Sequence, residues 1–156
     1  MKTILIQVGK TVNKHFQCVI DDYVERIGHY MPFDIVTIPE LKNTKSLSEA
    51  QQKQQEGEQI LRQLQPSDTV VLLDEHGRQY RSIEFARWLE QKQLVARRLV
   101  FIIGGPYGFS PDVYARANEQ LSLSLMTFSH QMIRLTFTEQ IYRACTIIRG
   151  EPYHHE

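Results

Sequence analysis

The sequence predicts an α/β fold, a parallel sheet with helices on both faces. Three observations carry that prediction. Apolar runs of strand length alternate with stretches whose apolar residues recur every three or four positions. The runs Thr69–Leu73 and Leu99–Ile103 are aliphatic and β-branched almost without interruption, as in strands buried on both faces. Ile103 then breaks at once into Gly104-Gly105-Pro106-Tyr107-Gly108, a tight turn of bare backbone at a strand's carboxyl end. In open α/β sheets that edge is where ligands sit.

Taken in order, Thr3–Val8 alternates and is β-branched enough for a first strand. From His15 to Ile27, Phe16, Val19, Ile20, Tyr23, Val24 and Ile27 form one helical stripe. Phe33–Ile38, entered through Met31-Pro32, reads as the second strand. Lys42 to Ser48 is a polar linker in which Ser46-x-x-Glu49 offers a capping box, and the Gln-rich run to Leu64 reads as a solvent-facing helix. Thr69–Leu73, the third strand, ends in the polar turn Asp74-Glu75-His76-Gly77. Ser82–Gln93 is a helix burying Phe85, Trp88 and Leu89, and Leu99–Ile103 is the fourth strand. Ser110-Pro111-Asp112 supplies an N-cap, a proline and a first-turn acid, so a helix runs from Pro111 to about Glu119. Leu121–Leu125 reads as a short last strand. A long, largely apolar helix follows from about His130 to Arg149, and Gly150–Glu156 is a tail.

With 156 residues, no repeat and no separating linker, the chain reads as a single domain, 1–156. Its 18 basic side chains are balanced by 18 acidic ones, so it exerts no global pull on nucleic acid. A polyanionic partner would have to meet a local patch or a surface assembled across subunits. No apolar run is long enough for a membrane span, and Met1–Ile4 leads into a strand rather than a signal peptide, which makes a cytoplasmic location the expectation. Cys18 and Cys145 fall on apolar helical faces and read as buried free thiols.

Asp74, Glu75 and His76 gather at one strand end, as an ordinary polar turn or as part of a site. No phosphate loop exists to hold a triphosphate, and the glycine turn is not the dinucleotide fingerprint. A third loop, Leu121-Ser122-Leu123-Ser124-Leu125-Met126-Thr127-Phe128, falls in the same layer. Three loops on one edge can enclose a ligand by backbone contacts and apolar walls. On the long helix, Arg134 and Arg143 read first as structural ion-pair partners. In the tail, His154, His155 and Glu156 lack a second ligand cluster, so no metal is expected. A tail docked near the glycine loop, presenting tyrosine and histidine to a substrate, is the more attractive reading.

Leu72-Leu73-Asp74-x-x-Gly77, Ile103-Gly104-Gly105-Pro106-x-Gly108 and Leu123-Ser124-x-Met126-Thr127-Phe128-x-His130-x-x-x-Arg134 occur in that order, followed by Glu139-Gln140-x-Tyr142-Arg143-Ala144 and Pro152-Tyr153-His154-x-Glu156. In this combination, and over its whole length, the chain resembles the ribosomal large-subunit RNA pseudouridine N3-methyltransferases of the SPOUT, or trefoil-knot, class. One slight departure is Arg78, where lysine is frequent. The resemblance implies a C-terminal trefoil knot, which topology rules make improbable in advance, with knot and cofactor site within about residues 70–156. It also implies a homodimer and S-adenosyl-L-methionine held by knotted loops. The cofactor contacts map to Leu73, Gly104, Leu123, Ser124, Leu125, Met126, Thr127 and Phe128. The implied substrate is a pseudouridine in a stem-loop of 23S rRNA in the large subunit, methylated at N3 on assembled ribosomes.

For that chemistry His154 is assigned to the N3 proton, Tyr153 to orienting the base, and Arg143 to steadying the anion or a phosphate, beside a tail from the partner subunit. Lys10, Lys14, Arg78, Arg81, Arg134, Arg143 and Arg149 are the candidates for RNA contact. The alternatives are a related methyltransferase acting on a different rRNA or tRNA position, and a non-catalytic ribosome-associated factor.

Overall fold

The computed structural model describes residues 1–155. Its elements are β1 (Lys2–Val8), α1 (Lys14–Gly28), β2 (Phe33–Ile38), α2 (Glu49–Arg62), β3 (Thr69–Arg78), α3 (Ser82–Val95), β4 (Arg98–Ile103), α4 (Pro111–Arg116), β5 (Glu119–Leu121) and α5 (Met132–Arg149). The strands form one sheet in the order β2-β1-β4-β3-β5, and every pairing is parallel. The predicted fold class is therefore the observed one. No helix among the described residues is long and apolar enough to cross a membrane.

Strand periodicity sorts the core into two layers. Leu5, Val71, Leu99, Phe101 and Ile103 face a cluster completed by α1, α3 and α5. Ile4, Ile6, Val70, Leu72, Val100 and Ile102 face a second, smaller cluster with Ile60 of α2 and Val113 of α4. Phe101 and Phe137 are fully buried with ring centroids 4.8 Å apart; burial of each contributes about 1.5–3 kcal/mol. That contact seats α5 on the centre of the sheet, between α1 and α3.

Several local readings are revised. β3 runs on to Arg78, so Asp74–Gly77 lies within a strand rather than in a turn. Its polar side chains tolerate solvent, while Leu121 pairs with both Leu73 and Arg78 across an irregularity in the ladder. The last strand is Glu119–Leu121 rather than Leu121–Leu125. Beyond it, Ser122 Oγ donates to the carbonyl of Ser124 (2.9 Å) and Met126 N–H donates to Ser124 Oγ (3.0 Å). These local bonds compete with the ladder and turn the chain out of the sheet. α4 stops at Arg116 because Asn118 brackets Val70, with both its side-chain oxygen and its N–H engaged there at 2.8 Å. The capping box lies at Ser48 and Gln51, not Ser46 and Glu49, since residues 44–46 coil into a 3₁₀ turn. Cys145 is buried, but Cys18 is exposed because it projects from α1 away from the sheet-facing Ile20 and Ile27.

Gly77 is fixed by close approach: a Cβ there would lie 2.6 Å from the carbonyl carbon of Gln120 and 2.7 Å from Leu121 N. Backbone cannot swing aside as a side chain can. Gly77→Ala is therefore expected to lower stability by about 1–3 kcal/mol through overpacking. Urea unfolding would check this, and an unchanged midpoint would refute the close approach.

Candidate functional site

A cavity of about 600 Å³ opens at the carboxyl ends of β3, β4 and β5. Leu73, Ile103 and Leu121 close its base, the glycine turn forms one wall, and the segment between β5 and α5 forms another. The turn is tight: Gly108 N–H donates to the Gly105 carbonyl at 3.2 Å, with Gly108 at φ 81°. A Cβ on Gly104 would crowd the ring of Phe109 at 3.0–3.3 Å, which favours bare main chain at that point of the wall. Gly105 N–H donates to Oε1 of Glu56 on α2 at 3.0 Å. Burial raises the Glu56 carboxyl above its usual range, opposed by the Gly105 bond and aided by nearby Glu40.

A third side of the cavity, at the end of β3, is acidic. Asp74 accepts hydrogen bonds from the Tyr114 hydroxyl and from His76 N–H at 2.8 Å, with His76 Nδ1 at 3.0 Å. Burial raises its carboxyl, but the bonds from Tyr114 and His76 outweigh that and hold it below the ordinary carboxylate range. The Tyr114 phenol is pushed up to about 12 by burial and by Asp74. Thr127 Oγ1 donates to Glu75 at 3.0 Å, tying the β5–α5 segment to β3.

Of the residues mapped from sequence, Leu73, Gly104, Leu123, Ser124, Met126, Thr127 and Phe128 line this cavity. Leu125 does not; it points outward and is 78% exposed, since the serine-bonded turn throws it to solvent. Arg134 is corrected as an RNA contact. It is 1% exposed and donates to the carbonyls of Val8 (2.8 Å), Gly9 (3.0 Å) and His130 (2.9 Å) and to Thr11 Oγ1 (3.0 Å). It is structural, as expected, though its partners are carbonyls rather than a carboxylate. Glu56 and Tyr114 went unread. Glu56 sits in a Gln-rich helix that reads as solvated, and only its spacing of four from Ile60 hints at an inward face.

Arg143, Tyr153 and His154 assemble elsewhere. Arg143 donates to Glu139 Oε1 (2.6 Å) and lies 3.0 Å from His154 Nδ1. Tyr153 donates to the same Glu139 oxygen at 2.9 Å and meets the Tyr23 hydroxyl at 3.3 Å. Its ring stands edge-on to Tyr142 with the Arg143 guanidinium 4.9 Å from its centroid. Burial, Tyr23 and Glu139 raise the Tyr153 phenol far above its usual value, so it remains a donor. A guanidinium has only donors, so His154 Nδ1 accepts and Nε2 carries the proton. None of these three residues lines the cavity. Arg143 lies about 15 Å along the helix axis from Ile133, which does. In a single chain the tail therefore docks on α1 and α5, not near the glycine turn, because α5 carries it away. Glu156, which was read with His154 and His155 as a weak metal group, lies outside the described residues. Among those described, no group of three His, Cys, Asp or Glu forms a metal site.

A family model described as "Predicted SPOUT methyltransferase" matches residues 1–154. Proteins named ribosomal RNA large subunit methyltransferase H are similar over the full length of both chains. They include those of Bacteroides fragilis at 64% identity, Phocaeicola vulgatus at 62% and Flavobacterium johnsoniae at 53%.

The Asp74 cluster has a signed pH dependence. Its folded-state pKa is depressed, so its contribution is present above the ordinary carboxylate range and is lost as pH falls through the folded value. Tyr114→Phe should cost about 1–3 kcal/mol at neutral pH, and the cost should shrink once Asp74 is protonated in both states. Unfolding curves for the two proteins at neutral and strongly acid pH would read this, and an equal penalty at both would contradict it.

Proposed function

The chain belongs to the SPOUT methyltransferase family, and on that premise we propose that it methylates N3 of a pseudouridine in large-subunit 23S rRNA, using S-adenosyl-L-methionine. The observation that carries the reading is the cavity walled by the ends of β3 and β4 and by the β5–α5 segment. Its size falls within the usual range for small-molecule sites. Its bare glycine wall admits close main-chain approach, and Asp74 and Glu75 give it the negative lining a sulfonium and an ammonium favour. Leu73, Gly104, Leu123, Ser124 and 126–128 would hold the donor; Leu125 contributes at most its backbone. The family's C-terminal knot, within about residues 70–156, belongs to the same reading.

When bound, S-adenosyl-L-methionine supplies an electrophilic methyl group, which leaves the protein to align the acceptor and manage one proton. The N3 imide must give up its hydrogen as the nitrogen acquires carbon. His154 is the assigned base. Its Nδ1 is occupied by Arg143 in the resting arrangement, so movement of Arg143 toward an imide carbonyl or a phosphate frees that nitrogen to take the N3 proton, and the guanidinium then steadies the charge left on the imide. Tyr153, held as a donor by Glu139, orients the base, and Glu139 keeps Arg143 in reach.

The separation of cavity and tail within one chain supports a homodimer in which each tail serves the partner's cavity. The apolar surface left uncovered is consistent with this. Val12 is 77% and Val19 41% exposed on the α1 side, and Met126 is 79% and Met132 37% exposed beside the cavity. With net charge zero, recognition of rRNA rests on shape and on a composite surface of two subunits and the ribosome. A ribosomal substrate makes the site of action cytoplasmic.

Incubation with ribosomes and labelled donor, followed by mass mapping of the nucleosides, tests the reaction; methyl appearing on any other position would displace it. His154→Ala should lower turnover at saturating donor by about 10²–10⁴-fold, with donor affinity by calorimetry near wild type. Undiminished turnover would remove His154 from the mechanism. Mixing His154→Ala chains with cavity-blocked Gly104→Val chains should restore about a quarter of wild-type activity, since half the random dimers carry one intact composite site. No recovery would mean that each chain completes its own site.

A further inference from the structure

The geometry points to Glu56 as a positioning residue for the donor pocket: its buried carboxylate pins the Gly104–Gly105 peptide and so decides which backbone group that wall presents. The assignment rests on the methyltransferase reading above. Glu56 is 6% exposed, with Oε1 3.0 Å from Gly105 N, while both its oxygens lie 2.5 Å from where a Gly105 Cβ would stand. The carboxylate thus fills the space a side chain would need and takes the only N–H of that residue. Among the described residues no peptide bond is cis. In a trans peptide the Gly104 carbonyl points opposite to the Gly105 N–H, that is, away from Glu56. Both glycines line the cavity and Glu56 does not, so at this peptide the wall offers the methyl donor a carbonyl acceptor rather than an N–H.

The neighbouring residues hold the rest of the turn. A Cβ on Gly57 would lie 2.4 Å from Ser110 Oγ, and that oxygen accepts from Val113 N at 3.3 Å to cap α4. Gln54 Nε2 reaches Asp112 Oδ2 at 2.9 Å. One turn of α2 therefore meets the glycine loop at both ends, Glu56 bonded to Gly105 and Gly57 packed closely against Ser110.

The test compares wild type, Glu56→Gln, whose amide oxygen still accepts, and Glu56→Ala. Amide exchange at Gly105 without ligand should be slow in wild type and Gln and fast in Ala. Calorimetry with S-adenosyl-L-methionine should give a Kd within about threefold of wild type for Gln and at least about tenfold weaker for Ala. The Ala variant's loss should appear in KM for the donor, with kcat at saturating donor within about threefold. A misfolded variant would instead lose kcat through its active fraction, and the Gln variant guards against that outcome. Unchanged Gly105 exchange or unchanged donor affinity in Glu56→Ala overturns the assignment. A wild-type protein that binds no donor overturns the methyltransferase reading and the donor side of this one, while the exchange result separately decides whether Glu56 pins the peptide.

Discussion

The buried guanidinium of Arg134 is the interaction on which most else depends. Removing a cation from water is costly, and burial lowers its pKa against the pull of Glu40. The cost is offset because the flat fork finds carbonyl oxygens at the end of β1 and at the entrance to α5, with Thr11 completing the set. The first turn of α5 is thereby tied across the carboxyl edge of the sheet. Phe137 and Ile141, one and two turns further on, fall onto the buried core. The β5–α5 segment must then arch over the strand ends, and the arch encloses the cavity.

Polar side chains at that edge act mainly on backbone. Glu56 holds Gly105 and serines 122 and 124 bend the chain after β5, while at the opposite, amino edge Asn118 holds Val70 near the start of β3. A parallel sheet buried on both faces leaves its unpaired main-chain groups at strand ends, and these contacts satisfy or aim them. The cavity is accordingly walled by main chain at the glycine turn and by the side chains of Asp74 and Glu75 at the end of β3. Arg143 and Tyr153 gather instead along α5 and the tail, around the carboxylate of Glu139.

The apolar elements were legible because burial imposes a period. Leu99–Ile103 and the Ser110-Pro111-Asp112 helix start stand where their patterns put them. Errors cluster where polar side chains satisfy long-range or local backbone partners. Asp74–Gly77 looks like a turn by composition, yet it lies inside β3, looped out between Leu73 and Arg78, which both pair with Leu121. Ser122–Leu125 alternates like a strand, yet serine hydroxyls unmake it. Leu125 was mapped to the cavity by position in a motif, and a motif does not record which way a side chain turns within a loop.

Periodicity and turn chemistry alone determined the α/β class, the parallel sheet and the edge at which the loops enclose a cavity, because those follow from local geometry and the cost of exposing apolar surface. The order of residues in the glycine turn, the serine loop and the tail carried the family. Only the tertiary structure decided that Glu56 faces the glycine turn, that Arg134 is spent on carbonyls, and that the tail lies away from its own cavity. Those outcomes depend on contacts between positions tens of residues apart, which a one-dimensional pattern does not encode.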